Sequence, residues 1–331
     1  MARPQTWRAK RTQFMHRVHA RAASRARPAT GFVSQPEPKT IGHFARGRQL
    51  VAGNFLFSGT LSEAKGGSIW DIAPDNDVVA EELQGCAWLD DLAAVGDAKA
   101  RACAQSWVAD WITRYGNGKG AGWTPDLTGR RLIRWIQHGF FLLRGQERAA
   151  NEAFYRSLAQ QTIFLSRRWK ATSPGLPRFE ALTGMIYAGL SLEGMEQHVD
   201  PAVAALARDC GREIDETGGI PTRNPEELLE VLTLLTWATE ALKETDRQPP
   251  AAIMTAIARI TPTLRALRHA DGSLARFHGG GRGLDGRLDH ALAAAGDRTR
   301  ATEGPHMGFA RLSAGRTSLE VDAAKPPAGA A

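Results

Sequence analysis

The chain has 331 residues, and 43% of them are hydrophobic, a composition typical of a globular protein with a sizeable core and not of a disordered chain. Its net charge is +7, and no apolar run is long enough to predict a membrane span. The three cysteines, Cys86, Cys103 and Cys210, match no zinc-ligand spacing, so we expect no metal and no cofactor. We interpret them as small buried side chains, with one disulfide as the alternative.

Basic residues are concentrated in the first fifty positions, where Glu37 is the only acidic residue. We interpret residues 1–40 as a basic, partly disordered arm with helical tendency over Arg8–Arg25. Such an arm is typical of a solvated leader, or of a segment that binds nucleic acid, an anionic surface or a polyanionic substrate. Nucleic acid is an unlikely partner, since no zinc-finger, RNA-binding or helix-turn-helix pattern is present. No apolar stretch follows the basic residues, so no secretory signal is predicted.

From about residue 75 the apolar periodicity predicts helices joined by short turns. The predicted spans are 76–94, 97–115, 127–144, 148–170, 178–196, 200–216, 225–243, 250–269 and 284–295. Short connections favour antiparallel helix pairs. The predicted fold class is therefore mainly α, with an incomplete (α/α) toroid over residues 41–300.

The last part of the chain has a different pattern. Met307–Leu312 and Thr317–Asp322 alternate apolar and polar residues around a turn at 313–316, which predicts a β-hairpin. Because two strands are marginally stable by themselves, we interpret residues 301–331 as the start of a truncated β-sandwich domain.

The turn that precedes the most apolar helix is the first candidate site. Gly218 and Gly219 favour a turn, Asn224 is predicted to cap the helix, Pro225 to be its first residue and Glu227 to complete a capping box. A rigid turn at the mouth of a buried helix suits a binding site. It is also an ordinary way to begin a helix.

A second group of candidates lies near residue 130. We expect Trp123, between a Gly-rich stretch and a proline, to be exposed and to stack on a sugar ring, with a core position as the alternative. Arg130 and Arg134 share one helix with His138, and their forked donors suit a carboxylate or sulfate. The alternative is a solvated helix face with a buried histidine.

The order of these features resembles the N-terminal helical half of heparinase II/III-like polysaccharide lyases, over roughly residues 40 to 322. The matching segments are Gly53–Gly59, Trp123–Trp135, Ala188–Leu190, Gly218–Gly219 with Asn224–Pro225, Asp271–Gly272 with Phe277, and Phe309–Leu312. The resemblance implies a bacterial enzyme that cleaves uronate-containing glycans by β-elimination. It also implies the cell envelope or periplasm, whereas the missing export signal predicts the cytoplasm.

β-Elimination needs a group that neutralises the uronate carboxylate, a base for the α-proton and an acid for the leaving oxygen. In the family an Asn-His pair and a tyrosine fill these roles. Here Leu176–Pro177 stands at the Asn-His position and Glu227 at the tyrosine. The resemblance therefore implies substitutes, with Arg178 and Arg223 near the carboxylate and Glu227 or His278 moving the proton.

Three hypotheses follow. The first is a lyase-like enzyme with catalytic Arg223, Glu227 and His278, and with a substrate-binding set: Arg178, Trp123, Arg130, Arg134 and Asn224. The second is a catalytically inactive toroid that binds glycan or a partner protein. The third is a helical scaffold whose basic arm binds nucleic acid. Convergence of the three catalytic candidates in one cleft would favour the enzyme, whereas a Glu227 that only caps its helix would favour the binding protein.

Overall fold

A computed structural model describes residues 7–25, 29–57, 59–63, 67–74, 76–281, 286–296, 304–314 and 317–325. Over these residues the chain forms thirteen α-helices and two antiparallel strand pairs. The helices α1 to α13 are Trp7–Ala23, Phe44–Val51, Asp77–Gln84, Trp88–Val95, Ala98–Tyr115, Pro125–Gln137, Gly139–Leu143, Arg148–Arg168, Leu176–Ser191, Val199–Glu213, Pro225–Glu244, Ala251–Ala266 and Arg287–Ala294. The strands β1 to β4 are Asn54–Phe57, Thr60–Glu63, Phe309–Ala314 and Thr317–Asp322.

Two predicted helices are each divided in two. The span 76–94 becomes α3 and α4, because Cys86 adopts a positive φ of 58° that a continuous helix does not allow. The span 127–144 becomes α6 and α7, with His138 between them in a non-helical conformation. The predicted hairpin is confirmed as β3–β4, with Leu312 opposite Leu319. Its turn residues 315–316 lie outside the described part of the chain.

The chain divides into two compact units. Unit 1 comprises residues 1–173 and 180–200, and unit 2 comprises residues 174–179 and 201–331. The predicted domain boundaries near residues 40 and 300 stay predictions. None of the helices in the described ranges combines the length and the apolar character that a bilayer crossing requires.

The core of unit 1 contains a cluster of aromatic rings on α5, α6 and α8. Trp107 and Trp111, four residues apart on α5, are both buried. Trp111 meets Trp135 edge to face at 5.4 Å, and the guanidinium of Arg131 lies 4.0 Å from the Trp111 ring centre. Burial lowers the pKa of Arg131 to about 10. This cation is held by neutral acceptors, among them the carbonyl oxygen of Gly122.

Helices α6 and α9 cross closely within unit 1, and glycine makes this possible. A Cβ atom at Gly129 would lie 2.2 Å from the carbonyl oxygen of Glu180, and one at Gly184 would lie 2.5 Å from the Cα of Gly129. These obstacles are backbone atoms that cannot rotate away. A larger residue at either position would therefore push the helices apart.

Helix α11 is the centre of unit 2. Its apolar side chains are buried over nearly the whole circumference, as the sequence predicts for a helix surrounded by others. Helices α12 and α13 pack on it. The hairpin β3–β4 is attached to α12 through Arg311, whose guanidinium donates to the carbonyl oxygens of Ala266 and Arg268 at 2.8 and 2.7 Å.

Candidate functional site

The turn before α11 has the predicted local structure. Gly218 has a φ of +77°, and a Cβ there would lie 2.0 Å from the carbonyl oxygen of Arg259. The Oδ1 atom of Asn224 accepts from the backbone N–H groups of Glu226 and Glu227 at 3.0 and 3.3 Å. Asn224 is thus the N-cap and Pro225 the first helical residue, which confirms both predictions.

Arg223, directly before the cap, is buried and bonded within the protein. Its guanidinium donates to the carbonyl oxygens of Met307 at 3.0 Å, Lys325 at 2.7 Å and Gly308 at 3.3 Å. It also forms an ion pair with the carboxylate of Asp322. The charge therefore fixes the chain around β3 and β4 to the start of α11.

His278 reaches the same carboxylate from the other side. Its Nε2 atom lies 3.1 Å from Oδ2 of Asp322, and its side chain is 21% exposed. The hydrogen bond from Arg223, followed by weaker interactions that include the one with His278, lowers the pKa of Asp322. We call Arg223, Asp322 and His278 the Asp322 cluster. Nothing in the sequence marked Asp322, because it ends an ordinary alternating strand and its partners lie 44 and 99 positions away.

The backbone around this cluster is strained. Arg223, His278 and Met307 have φ angles of 52°, 51° and 52°, in the left-handed region that residues other than glycine seldom adopt. Each such residue costs of order 1 kcal/mol or more, which the surrounding structure must offset. The hydrogen bonds from Arg223 to the loop before β3 contribute to that offset.

Glu227 does not take part in the cluster. Within the described part of the chain, no hydrogen bond or ion pair joins Glu227 to Arg223 or His278. Its neighbour Glu226 instead accepts from the backbone N–H of Gly281 at 2.5 Å, a contact that the sequence did not indicate. Two of the three predicted catalytic residues are thus brought together, by way of Asp322, and the third is not.

The predicted substrate-binding residues are largely occupied by the protein itself. Arg178 pairs with Asp209 at 3.8 Å in unit 2. In unit 1, Nε of Arg130 donates to Glu180 at 2.6 Å, and Nε of Arg134 donates to Asp90 at 2.8 Å. Burial raises the pKa of Asp90, but Arg134 and His138 outweigh it, and the pKa lies below its ordinary value.

The expectation that Trp123 is exposed is wrong. Its side chain is 2% exposed, its Nε1 atom donates to the carbonyl oxygen of Tyr115 at 2.8 Å, and its ring meets Phe164 at 5.2 Å. The Gly-rich stretch before it allows the chain to fold the indole inward. Trp123 therefore belongs to the core and presents no face to a sugar.

A second candidate surface lies on α1, where the predicted helical tendency is realised. The inner face packs on α8 through His16, Ala20 and Ala23, and Gln160 donates to the carbonyl oxygen of Ala20 at 2.9 Å. The opposite face exposes three apolar side chains at helical spacing: Trp7, Phe14 and Val18. Cations flank them, and the helix contains no acidic residue; the cations are Arg8, Lys10, Arg11, Arg17 and Arg21. We call this surface the α1 outer face.

No protein-family model matches the chain. One curated relative, FtsZ-localized protein C of Caulobacter vibrioides, is 30% identical over 290 residues, which is 86% of this chain and 50% of the relative. The chain thus spans about half the length of this relative.

Two similar solved structures are lyases. Heparinase III matches with a TM-score of 0.59 and 13% identity over 80% of this chain and 45% of that one. Heparan sulfate lyase HepC from Pedobacter heparinus matches with a TM-score of 0.54 and 15% identity over 92% of this chain and 54% of that one. At this identity the likeness establishes fold only. It confirms the predicted fold class, the mainly α fold of an incomplete (α/α) toroid with a short C-terminal β-hairpin.

Proposed function

We propose that this chain is a lyase-fold protein that does not perform β-elimination and that localises with FtsZ. The observation that carries the proposal is the internal use of Arg223 in the Asp322 cluster. Its guanidinium is bonded to three carbonyl oxygens and one carboxylate. A substrate carboxylate would have to replace these acceptors.

The energies favour the internal arrangement. Hydrogen bonds to a charged group contribute about 1.5–3 kcal/mol each, so releasing Arg223 from four acceptors costs more than one new carboxylate pair returns. His278 is the predicted catalytic residue with an accessible ring, but its Nε2 already bonds Asp322. Glu227 lies outside the cluster, and within the described residues both Arg223 and His278 are bonded to Asp322, which supports the non-catalytic half of the proposal.

The relative supports the second half of the proposal. Its printed name places it with FtsZ, and the similarity extends over most of this chain. A lyase fold in which Arg223 is bonded within the protein suits a binding role. Acidic glycan is the alternative partner, because the similar structures are heparin and heparan sulfate lyases.

Two measurements test the proposal. Incubation with a panel of uronate-containing polymers should give no ultraviolet absorbance from unsaturated product. A fluorescent fusion should follow labelled FtsZ in dividing cells and become diffuse when FtsZ is depleted. Unsaturated product that forms with the wild type and disappears in His278→Ala would overturn the claim that the chain performs no β-elimination. A fusion whose position does not depend on FtsZ would overturn the claim that it localises with FtsZ.

A second candidate function is docking of the α1 outer face on an anionic lipid surface. A tryptophan and a phenylalanine at the centre of a face ringed by lysine and arginine match a helix that lies in a bilayer interface. Each cation near an anionic leaflet contributes about 1 kcal/mol. The Arg11 guanidinium, 5.8 Å from the Trp7 ring centre, can keep this contact while it faces headgroups.

Vesicle sedimentation tests this second function. The protein should sediment with vesicles of phosphatidylglycerol and phosphatidylcholine and remain in the supernatant with phosphatidylcholine alone. The double variant Trp7→Ala and Phe14→Ala should lose most of the binding. The matched control Leu312→Ala and Leu319→Ala, in two exposed leucines of β3–β4, should keep it. Equal sedimentation of both double variants would contradict this assignment.

A further inference from the structure

The N-terminal half of α8 separates two cavities of unit 1. Its helical spacing turns Ala153 and Phe154 toward one cavity and Arg148 and Tyr155 toward the other. Asn151 lies between these faces and lines both cavities. One ligand that follows this helix for about one turn, roughly 5 Å, would therefore reach both.

The first cavity is apolar. It has a volume of about 140 Å³ and is walled by α5, α7 and α8 through Val108, Ile112, Leu142 and Phe154. A cavity of about 150 Å³ lined by such side chains accommodates a benzene-sized group. Two of its polar lining residues are bonded within the protein: Gln105 donates to the carbonyl oxygens of Leu142 and Arg144, and Thr113 donates to that of Ala109. The cavity thus suits a single apolar side chain.

The second cavity is larger and cationic. It has a volume of about 630 Å³ and is lined by Arg148 and Arg156, with Thr30 and Tyr155 beside them. Among the described lining residues the acidic one is Glu152, which accepts from Nε of Arg148 at 2.7 Å. No ion pair of Arg156 is found among the described residues. The excess positive charge on the wall suits a ligand that carries carboxylates.

Asn151 adds a third feature at the point where the cavities meet. Within the described structure its Oδ1 atom is shielded from solvent and has no hydrogen-bond partner. A buried acceptor without a partner is unfavourable. Because this oxygen is shielded where it stands, a ligand N–H group reaches it only when the Asn151 side chain turns toward one of the cavities, and the new hydrogen bond then satisfies the acceptor. A peptide backbone carries such a donor at nearly every residue.

We infer that the two cavities form one docking groove for an acidic peptide segment with a single apolar side chain. The apolar side chain occupies the cavity between α5, α7 and α8, the carboxylates lie beside Arg148 and Arg156, and a backbone N–H donates to Asn151. Successive residues of an extended peptide are about 3.3 Å apart, so a few residues span the distance. The inference stands independently of the proposed function, because it uses neither the Asp322 cluster nor the α1 outer face.

Fluorescence polarisation tests the groove with the full chain. The probe is a fluorescein-labelled nine-residue peptide of aspartate and glycine with a central leucine, and the matched probe has alanine in place of leucine. The leucine probe should bind at least tenfold more tightly than the alanine probe. Arg156→Glu should weaken it at least tenfold, whereas Lys99→Glu, an equal charge change at an exposed residue of α5, should change it less than twofold.

The apolar cavity is tested separately. Ala109 is exposed at its edge, so Ala109→Trp should fill the cavity without disturbing the fold and remove the preference for leucine. Circular dichroism checks that each variant is folded. Equal affinity for both probes, unchanged affinity in Arg156→Glu, or no binding at 1 mM peptide would each overturn the inference. A uronate oligosaccharide that binds through Arg156 where the peptide does not would overturn it as well.

Discussion

The contact between α1 and α8 depends on a neutral histidine. The Nδ1 atom of His16 accepts from Nε of Arg168 at 3.2 Å, and its ring meets Phe164 edge to face at 5.7 Å. Burial, followed by the charge of Arg168, lowers the pKa of His16 from 6.5 to about 4; Asp126 opposes this shift and His19 adds to it. Protonation would remove the acceptor and place two cations side by side.

The size of the effect follows from the pKa difference. Between pH 6.5 and about 4 the unfolded chain binds a proton at His16 that the folded chain does not. Stability from this residue is therefore complete above pH 6.5 and falls as the pH decreases toward 4. At about 1.4 kcal/mol per pH unit, the loss reaches about 2 kcal/mol at pH 5 and about 3 kcal/mol at pH 4.

Urea unfolding at pH 7.5 and pH 5.0 measures this loss. His16→Leu cannot titrate, so its free energy of unfolding should fall by about 2 kcal/mol less than that of the wild type over this range. The control His290→Leu, at an exposed residue of α13, should behave like the wild type. Hydrogen exchange should show that the protection lost at pH 5 includes α1. An identical pH dependence in the His16 variant and the wild type would refute the reasoning.

Further predictions concern helix packing and the indoles of unit 1. Gly129→Ala should destabilise the protein by about 1–3 kcal/mol, because its Cβ would meet the carbonyl oxygen of Glu180; Gly211→Ala, in an open position of α10, should stabilise it by up to about 1 kcal/mol. Thermal unfolding of both variants checks the contrast, and equal shifts would contradict the close helix crossing. Trp123→Ala should cost about 3–5 kcal/mol, whereas Trp7→Ala on the exposed face should change stability by no more than about 0.5 kcal/mol. Chemical denaturation distinguishes these values. A small loss of stability in Trp123→Ala would contradict the buried position of this indole.

Much of the fold was predictable because it depends on local patterns. Apolar periodicity placed the long helices, and the cap at Asn224 followed by Pro225 gave the start of α11. The alternating segments gave the hairpin β3–β4. The helix breaks at Cys86 and His138 were not predicted. Each depends on a non-helical backbone angle that cysteine and histidine do not favour by themselves.

The candidate site was less predictable because charge pairing is not local. In the sequence, Arg130 and Arg134 suggest an anion-binding site. In the structure they pair with Glu180 and Asp90, which are 50 and 44 positions away. Asp322 was missed for the same reason. Sequence spacing shows which side chains share a helix face, but it does not show which carboxylate folds against them.

The hairpin β3–β4 has a consequence for how the protein behaves in concentrated solution. Over the described residues no third strand pairs with β3 or β4, so apart from the bridge between His306 and Phe309 their outer edges present N–H and C=O groups without a strand partner. Leu312 and Leu319 face each other across the hairpin and are exposed. Bare strand edges with apolar side chains are templates for strand addition between molecules. Substitution of both Leu312 and Leu319 by lysine should keep concentrated samples monodisperse, because charged side chains on edge strands oppose strand addition.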